Sequence, residues 1–108
     1  MEKQKFQIMD SQVIINLTGD LQGELAAQIR EVILSYIDKG YSTFQLDFSN
    51  VDGINSTGLG MLVNIQKRAF QNGGDVMIHG LTGIVKAAFE RTRLTRAFNI
   101  FEDQHAIV

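Results

Sequence analysis

Cysteine and proline are both absent from this sequence. Without cysteine there can be no disulfide, no thiolate metal site and no sulfur nucleophile, and the chain suits a reducing compartment. Without proline, nothing marks a hinge between domains. Histidine is scarce, with only His79 and His105 present, too few imidazoles for an ordinary zinc site. No metal and no cofactor are therefore expected. An excess of one charge is missing as well: ten Lys+Arg against twelve Asp+Glu give a formal charge of −2. That is not the footprint of a nucleic-acid binder. The basic residues Lys67, Arg68, Lys86, Arg91, Arg93 and Arg96 thicken locally and read as a solvated helix face.

Long apolar runs are also lacking. The opening MEKQKFQIMD has no apolar stretch of signal-peptide length, and no later run approaches a membrane span. A cytoplasmic location without membrane partners is expected. The sequons Asn16-Leu17-Thr18 and Asn55-Ser56-Thr57 are then accidental, since glycosylation needs a secretory route. What the chain does have is 44% apolar residues over 108 positions, enough for one core without staples. A single domain spanning residues 1–108 is expected.

The apolar spacing reads as an orderly alternation. Residues 6–9 and 13–17 form a predicted hairpin around the short polar turn at 10–12, and Thr18-Gly19-Asp20 reads as punctuation. From Glu24 to Asp38, Leu25, Ile29, Val32, Ile33 and Tyr36 recur at helical spacing, with Gly40 as a stop. Residues 44–48 alternate as a strand, and Asn50-Val51-Asp52-Gly53 reads as a loop. A second helix carries Leu59, Leu62, Ile65 and Ala69 inward, with Asn64, Lys67 and Arg68 outward, and ends at Asn72-Gly73-Gly74. Residues 75–79 form a fourth strand. Thr82 reads as the N-cap of a third helix that buries Ile84, Val85, Ala88 and Phe89, and residues 98–101 make a short last strand.

The order is β-β-α-β-α-β-α, with a terminal β. It predicts an α/β fold with a mixed sheet of four to five strands and three to four packed helices. Spacing leaves open whether the helices cover one face or both.

The stretch INSTGLG, Ile54 to Gly60, places an amide, two hydroxyls and two glycines where the second helix begins. Gly53 and Gly58 have the outer spacing of a phosphate-binding P-loop. Leu59-Gly60 stands where Lys-Ser/Thr is required, so the phosphate-reaching group is missing. A dinucleotide fingerprint fails at Val63. A nucleophile elbow fails at Ile54. His79 reads as a half-exposed residue at a strand end, and no His–carboxylate pair points to Ser56. The chain is expected not to be an enzyme. Asn55, Ser56 and Thr57 each suit a helix start, because each can accept a hydrogen bond from a free backbone N–H.

The run Leu46-Asp47-Phe48-Ser49-Asn50-Val51-Asp52-Gly53-Ile54-Asn55-Ser56-Thr57-Gly58-Leu59-Gly60-Met61-Leu62 resembles the signature of STAS domains, in particular bacterial anti-sigma factor antagonists. Leu17-Thr18-Gly19-Asp20-Leu21 is similar to that family's turn after the second strand, and Asn72-Gly73-Gly74 also matches. The resemblance implies a STAS-like fold and a partner-switching role in transcription regulation. It implies that Ser56 is phosphorylated by an anti-sigma factor that is a GHKL-type serine kinase, and dephosphorylated by a PP2C-type phosphatase. The unphosphorylated form would sequester the kinase, and phosphorylation would release it.

By the same resemblance Asp20, Gln22, Asn55, Ser56, Thr57, Gly58 and Gly60 bind the partner. Asn55 stands where the family usually has aspartate, Gln22 where an acidic residue is common, and Arg93 where a glycine often precedes Leu94. The residues also leave a second reading open: a constitutive STAS scaffold or adaptor in a larger signalling complex, with Ser56 acting only as a helix cap.

Overall fold

The computed structural model describes residues 3–101. Among these, β1 (Lys5–Met9), β2 (Gln12–Leu21), β3 (Thr43–Ile54), β4 (Asp75–His79) and β5 (Asn99–Phe101) form one five-stranded sheet. Helices α1 (Gly23–Asp38), α2 (Ser56–Gln71) and α3 (Gly83–Arg91) alternate with the strands, and a 3-10 turn at Leu94–Arg96 precedes β5. The expected mixed α/β order holds. Glu102 to Val108, including His105, lie outside the described residues.

The hairpin turn is tight because both of its residues, Asp10 (φ 52°) and Ser11 (φ 67°), are left-handed. That geometry matches the natural twist of the flanking strands. β1 pairs antiparallel with β2, whereas β2–β3, β3–β4 and β4–β5 are parallel. The sheet order follows the chain order. Each strand–helix–strand crossover thus steps in the same direction, and right-handed crossovers put every helix on the same face. The open question of one face or two resolves to one.

That face holds the core. Val13, Ile15 and Leu17 of β2, Phe44, Leu46 and Phe48 of β3, and Val76 and Ile78 of β4 are buried there against Ile29, Ile33, Leu62, Ile65, Val85 and Phe89. Phe48 meets Phe89 edge-on at 5.9 Å between centroids. The opposite face carries polar side chains in register. Gln45 donates to Gln12 at 2.9 Å, and Asn16 donates to Asp47 at 3.4 Å.

Local expectations change at several places. Thr18-Gly19-Asp20 does not end β2, and Asn50-Val51-Asp52-Gly53 is not a loop. The two stretches pair with each other, Thr18 with Asn50, Gly19 with Val51 and Asp20 with Gly53, through two register shifts. Asp47 makes the irregularity possible. Its Oδ1 accepts from the Ser49 backbone N–H at 3.0 Å and from the Ser49 hydroxyl at 2.5 Å. Ser49 and Asn50 are then both exposed before Val51 returns to the core, as a bulge requires.

Ile84, expected inside, is 74% exposed. It lies a hundred degrees around the helix from Val85, outside the arc of Val85, Ala88 and Phe89 that is buried. Thr82 occupies the N-cap of α3 but its side chain makes no capping bond.

His79 is also different from expectation, at 2% exposed. Its ring stacks on Phe101 with centroids 4.7 Å apart, and Nε2 lies 2.5 Å from Gln45 Oε1. Since the Gln45 amide nitrogen already donates to Gln12, its oxygen faces His79, and His79 Nε2–H is the donor. Nδ1 has no partner among the described residues. Burial lowers the imidazole pKa below its ordinary value, against a smaller opposing pull from Asp47.

The candidate functional site

β2 and β3 project together beyond β4, and their ends deliver both halves of the loop region. Leu21, last in β2, pairs with Ile54, last in β3. One residue later Asn55 adopts an extended conformation (φ −118°, ψ −173°) and caps α2. Its Oδ1 accepts from the Gly58 N–H at 3.1 Å, and its carbonyl accepts from Leu59 N–H at 2.9 Å. Of the three candidate capping side chains, the structure uses Asn55, because only that residue has the extended backbone that turns its oxygen back toward the third helical N–H.

Ser56 is therefore the first residue of α2 rather than its cap. It is exposed, as is Thr57, and neither side chain makes a hydrogen bond among the described residues. The Ser56 hydroxyl is at the surface and uncommitted.

The two glycines in the first turns of α2 differ sharply. A Cβ on Gly58 would lie 2.2 Å from the Leu21 carbonyl oxygen and 2.7 Å from Ile54 Cγ1. Glycine at 58 is what lets α2 seat on the ends of β2 and β3. A Cβ on Gly60 would meet nothing within 4 Å. Nothing in the fold explains that glycine. Two helical glycines cost about 1 kcal/mol each against alanine. Burial of Leu59, Leu62 and Ile65 on the inner face, at roughly 1.5–3 kcal/mol per side chain, offsets this.

Asp20 and Gln22 sit beside this helix start. Asp20 pairs with Gly53 across the strands, and a Cβ on Gly53 would lie 3.0 Å from Asp20 Oδ1. The Gln22 amide donates to Asp20 Oδ2 at 2.6 Å. Both side chains are exposed. The structure thus brings Asp20, Gln22, Asn55, Ser56, Thr57, Gly58 and Gly60 to one end of the sheet, at the carboxyl ends of β2 and β3. His79, in contrast, points to the helix-free face. No group of three His, Cys, Asp or Glu side chains among the described residues is placed to hold a metal ion, and no helix there is long and apolar enough to cross a membrane.

The fold is an α/β module, a mixed sheet with every helix on one face, that presents an exposed hydroxyl at the first residue of α2. The chain belongs to the STAS domain family, whose pattern it matches over residues 3–107. It is similar to a Thermotoga maritima protein named as an anti-sigma factor antagonist, with 29% identity over 98 residues, covering 90% of this chain and 87% of that one. The crystal structure of a Thermotoga maritima protein so named superposes with a TM-score of 0.87 at 28% identity, covering 93% of this chain and 86% of the other. The fold is also that of the Bacillus cell fate determinant SpoIIAA in its phosphorylated form, at a TM-score of 0.75 and 20% identity over 96% of both chains.

Arg93, where the family resemblance led to glycine, adopts the left-handed conformation with φ 62°. The turn keeps the shape a glycine would take, and arginine bears the strain.

Proposed function

We propose that this chain is an anti-sigma factor antagonist, a binding protein rather than an enzyme, whose docking is switched by phosphorylation of Ser56. The partner is an anti-sigma factor that is itself a GHKL-type serine kinase, and a PP2C-type phosphatase resets the switch in the cytoplasm. The names of the Thermotoga maritima relatives support the general role. The observation that carries the switch is the division of labour at the helix start. Asn55 supplies the capping oxygen, so Ser56 has an exposed hydroxyl with no structural duty.

In the reaction the Ser56 oxygen attacks the γ-phosphorus of ATP, loses its proton to a base of the kinase, and ADP departs. The product adds about −1.5 to −2 charges at neutral pH. At residue one of a helix the fold tolerates that charge, because the first N–H groups have no intrahelical partners and the dipole favours an anion. An interface that covers Ser56 does not tolerate it. An uncompensated buried charge there costs about 2–5 kcal/mol, and each 1.4 kcal/mol or so is tenfold in affinity. The switch acts on docking and leaves the fold alone.

Gly60 supports the same reading. A helical glycine with open space above it weakens the helix for no internal gain, and a partner backbone approaching closely supplies the missing reason.

The test is incubation with a purified GHKL-type serine kinase of the same genome and ATP, read as intact mass. Wild type gains one phosphate and Ser56→Ala gains none. A phosphate that persists on Ser56→Ala moves the acceptor elsewhere. No phosphate on either protein, with binding retained, turns the reading to a constitutive STAS adaptor.

A further inference from the structure

β1 is an edge of the sheet, with a strand neighbour on its inner side alone among the described residues. It is regular: Lys5 to Met9 pair with Asn16 to Gln12 of β2 without a register shift. The hairpin decides which backbone groups point outward. A two-residue turn closes on a hydrogen-bonded pair, here Met9 with Gln12, and bonded pairs alternate with non-bonded ones along an antiparallel ladder. Lys5, Gln7 and Met9 therefore direct their N–H and C=O groups at β2, and those of Phe6 and Ile8 point away from it. Gln4 confirms the alternation. Its side-chain amide accepts from the Thr18 N–H at 2.7 Å and donates to the Thr18 carbonyl at 2.8 Å, so the even-numbered residues of β2 face β1.

Such an edge is a template for a further strand. The usual protections are thin: the chain has no proline, β1 has no bulge, and its one charged residue is Lys5. Its side chains are open as well, with Ile8 50% and Met9 45% exposed. The other edge, β5, is only three residues long.

We propose that the occupant of this edge is β1 of a second copy, paired antiparallel about a two-fold axis through Gln7, so that two sheets join into one. Three observations select that occupant. With Gln7 at the centre, Phe6 of each strand meets Ile8 of the other, and every outward N–H of the strand faces an outward C=O. The side chains agree. Phe6 and Ile8 lie on the helix-bearing face, as their β2 neighbours Ile15 and Val13 do, so Ile8 covers the open side of Phe6, which stacks on Tyr36 at 6.0 Å. On the opposite face the Lys5 stem lies along Met9.

Charge agrees too. Lys3 and Lys5 precede the centre and Asp10 follows it, all exposed and none in an ion pair among the described residues. Antiparallel overlay runs the basic start of each strand beside the acidic end of the other. The contact is one strand wide, which places it among the smaller, reversible interfaces. It is independent of the switch, since Ser56 lies beyond the ends of β2 and β3 and stays uncovered in both copies.

Sedimentation equilibrium of the full chain, from micromolar to near-millimolar concentration, is expected to show a monomer–dimer equilibrium. Ile8→Pro removes an outward N–H without touching the bonds to β2 and should weaken dimerisation about tenfold or more. Gln7→Lys and Gln7→Glu each set like charges opposite one another on the axis and should weaken it several-fold. An equimolar mixture of these two should restore it, because only a residue on the axis meets its own counterpart. Gln7 is exposed, so this pair tests the contact whatever proline does to folding. Amide exchange at Phe6 and Ile8 should slow as concentration rises. A wild type that stays monomeric throughout overturns the proposal. So does a dimer that tolerates Ile8→Pro, or a mixture no tighter than the single variants, since the contact is then elsewhere or in another register. Protection of both amides at every concentration in a monomer assigns the edge to another segment of the same chain and also overturns it.

Discussion

At Asn55 and Ser56 one residue apart decides which side chain serves the fold and which is free to serve a partner. Asn55→Ala removes the oxygen that satisfies Gly58 N–H and should cost about 1 kcal/mol. Ser56→Ala should leave urea unfolding within error. A large loss in Ser56→Ala would return the capping role to that residue. The glycines make the same separation. Gly58→Ala places a methyl 2.2 Å from a backbone carbonyl and should lose about 2 kcal/mol or more, as overpacking does. Gly60→Ala has no such clash. It should raise stability by about 0.5–1 kcal/mol while weakening partner binding, a combination that a purely structural glycine cannot produce. The left-handed residues outside the site give a simpler test of backbone strain. Ser11→Gly and Arg93→Gly should each stabilise the protein, by roughly 1 kcal/mol, measured as a shift in the urea midpoint.

Elements show what local pattern can and cannot reveal. The inner face of α2 was legible, since Leu59, Leu62, Ile65 and Ala69 are all buried and helical spacing is a local property. The ends of β2 and β3 were not. Thr18-Gly19-Asp20 and Asn50-Val51-Asp52-Gly53 look like turns one at a time, and become strand only by pairing with each other. Strand preference of that kind belongs to the neighbour rather than to the segment. His79 escaped for a related reason, because the ring that covers it comes from β5.

Its burial has a measurable consequence. The folded-state pKa lies below the ordinary 6.5, so the unfolded chain takes up this proton first as pH falls. The associated stability is intact above about pH 6.5 and declines as pH drops toward the lowered folded value. Wild type should therefore lose more stability than His79→Gln between pH 7.5 and pH 5 in paired urea titrations. Equal losses would contradict the burial of a neutral imidazole.

For the whole molecule, the one-directional strand order gathers the helices on one face and lines up the helix starts at the carboxyl ends of the parallel strands. Asp20, Gln22 and the helix start from Asn55 to Gly60 meet there because β2 and β3 extend together. The family signature made the loop legible in the sequence. The identity of the cap was not, because three adjacent residues had suitable side chains and only the backbone angles at Asn55 separate them.

A negative group at position 56 should repel the partner while leaving the domain beneath it unchanged. Calorimetric titration of the GHKL-type anti-sigma factor with wild type and with the stoichiometrically phosphorylated protein, alongside melting curves of both, tests this most directly. The account predicts at least a tenfold loss of affinity with superimposable melting. Equal affinities, or a phosphorylated protein that melts well below wild type, would contradict it.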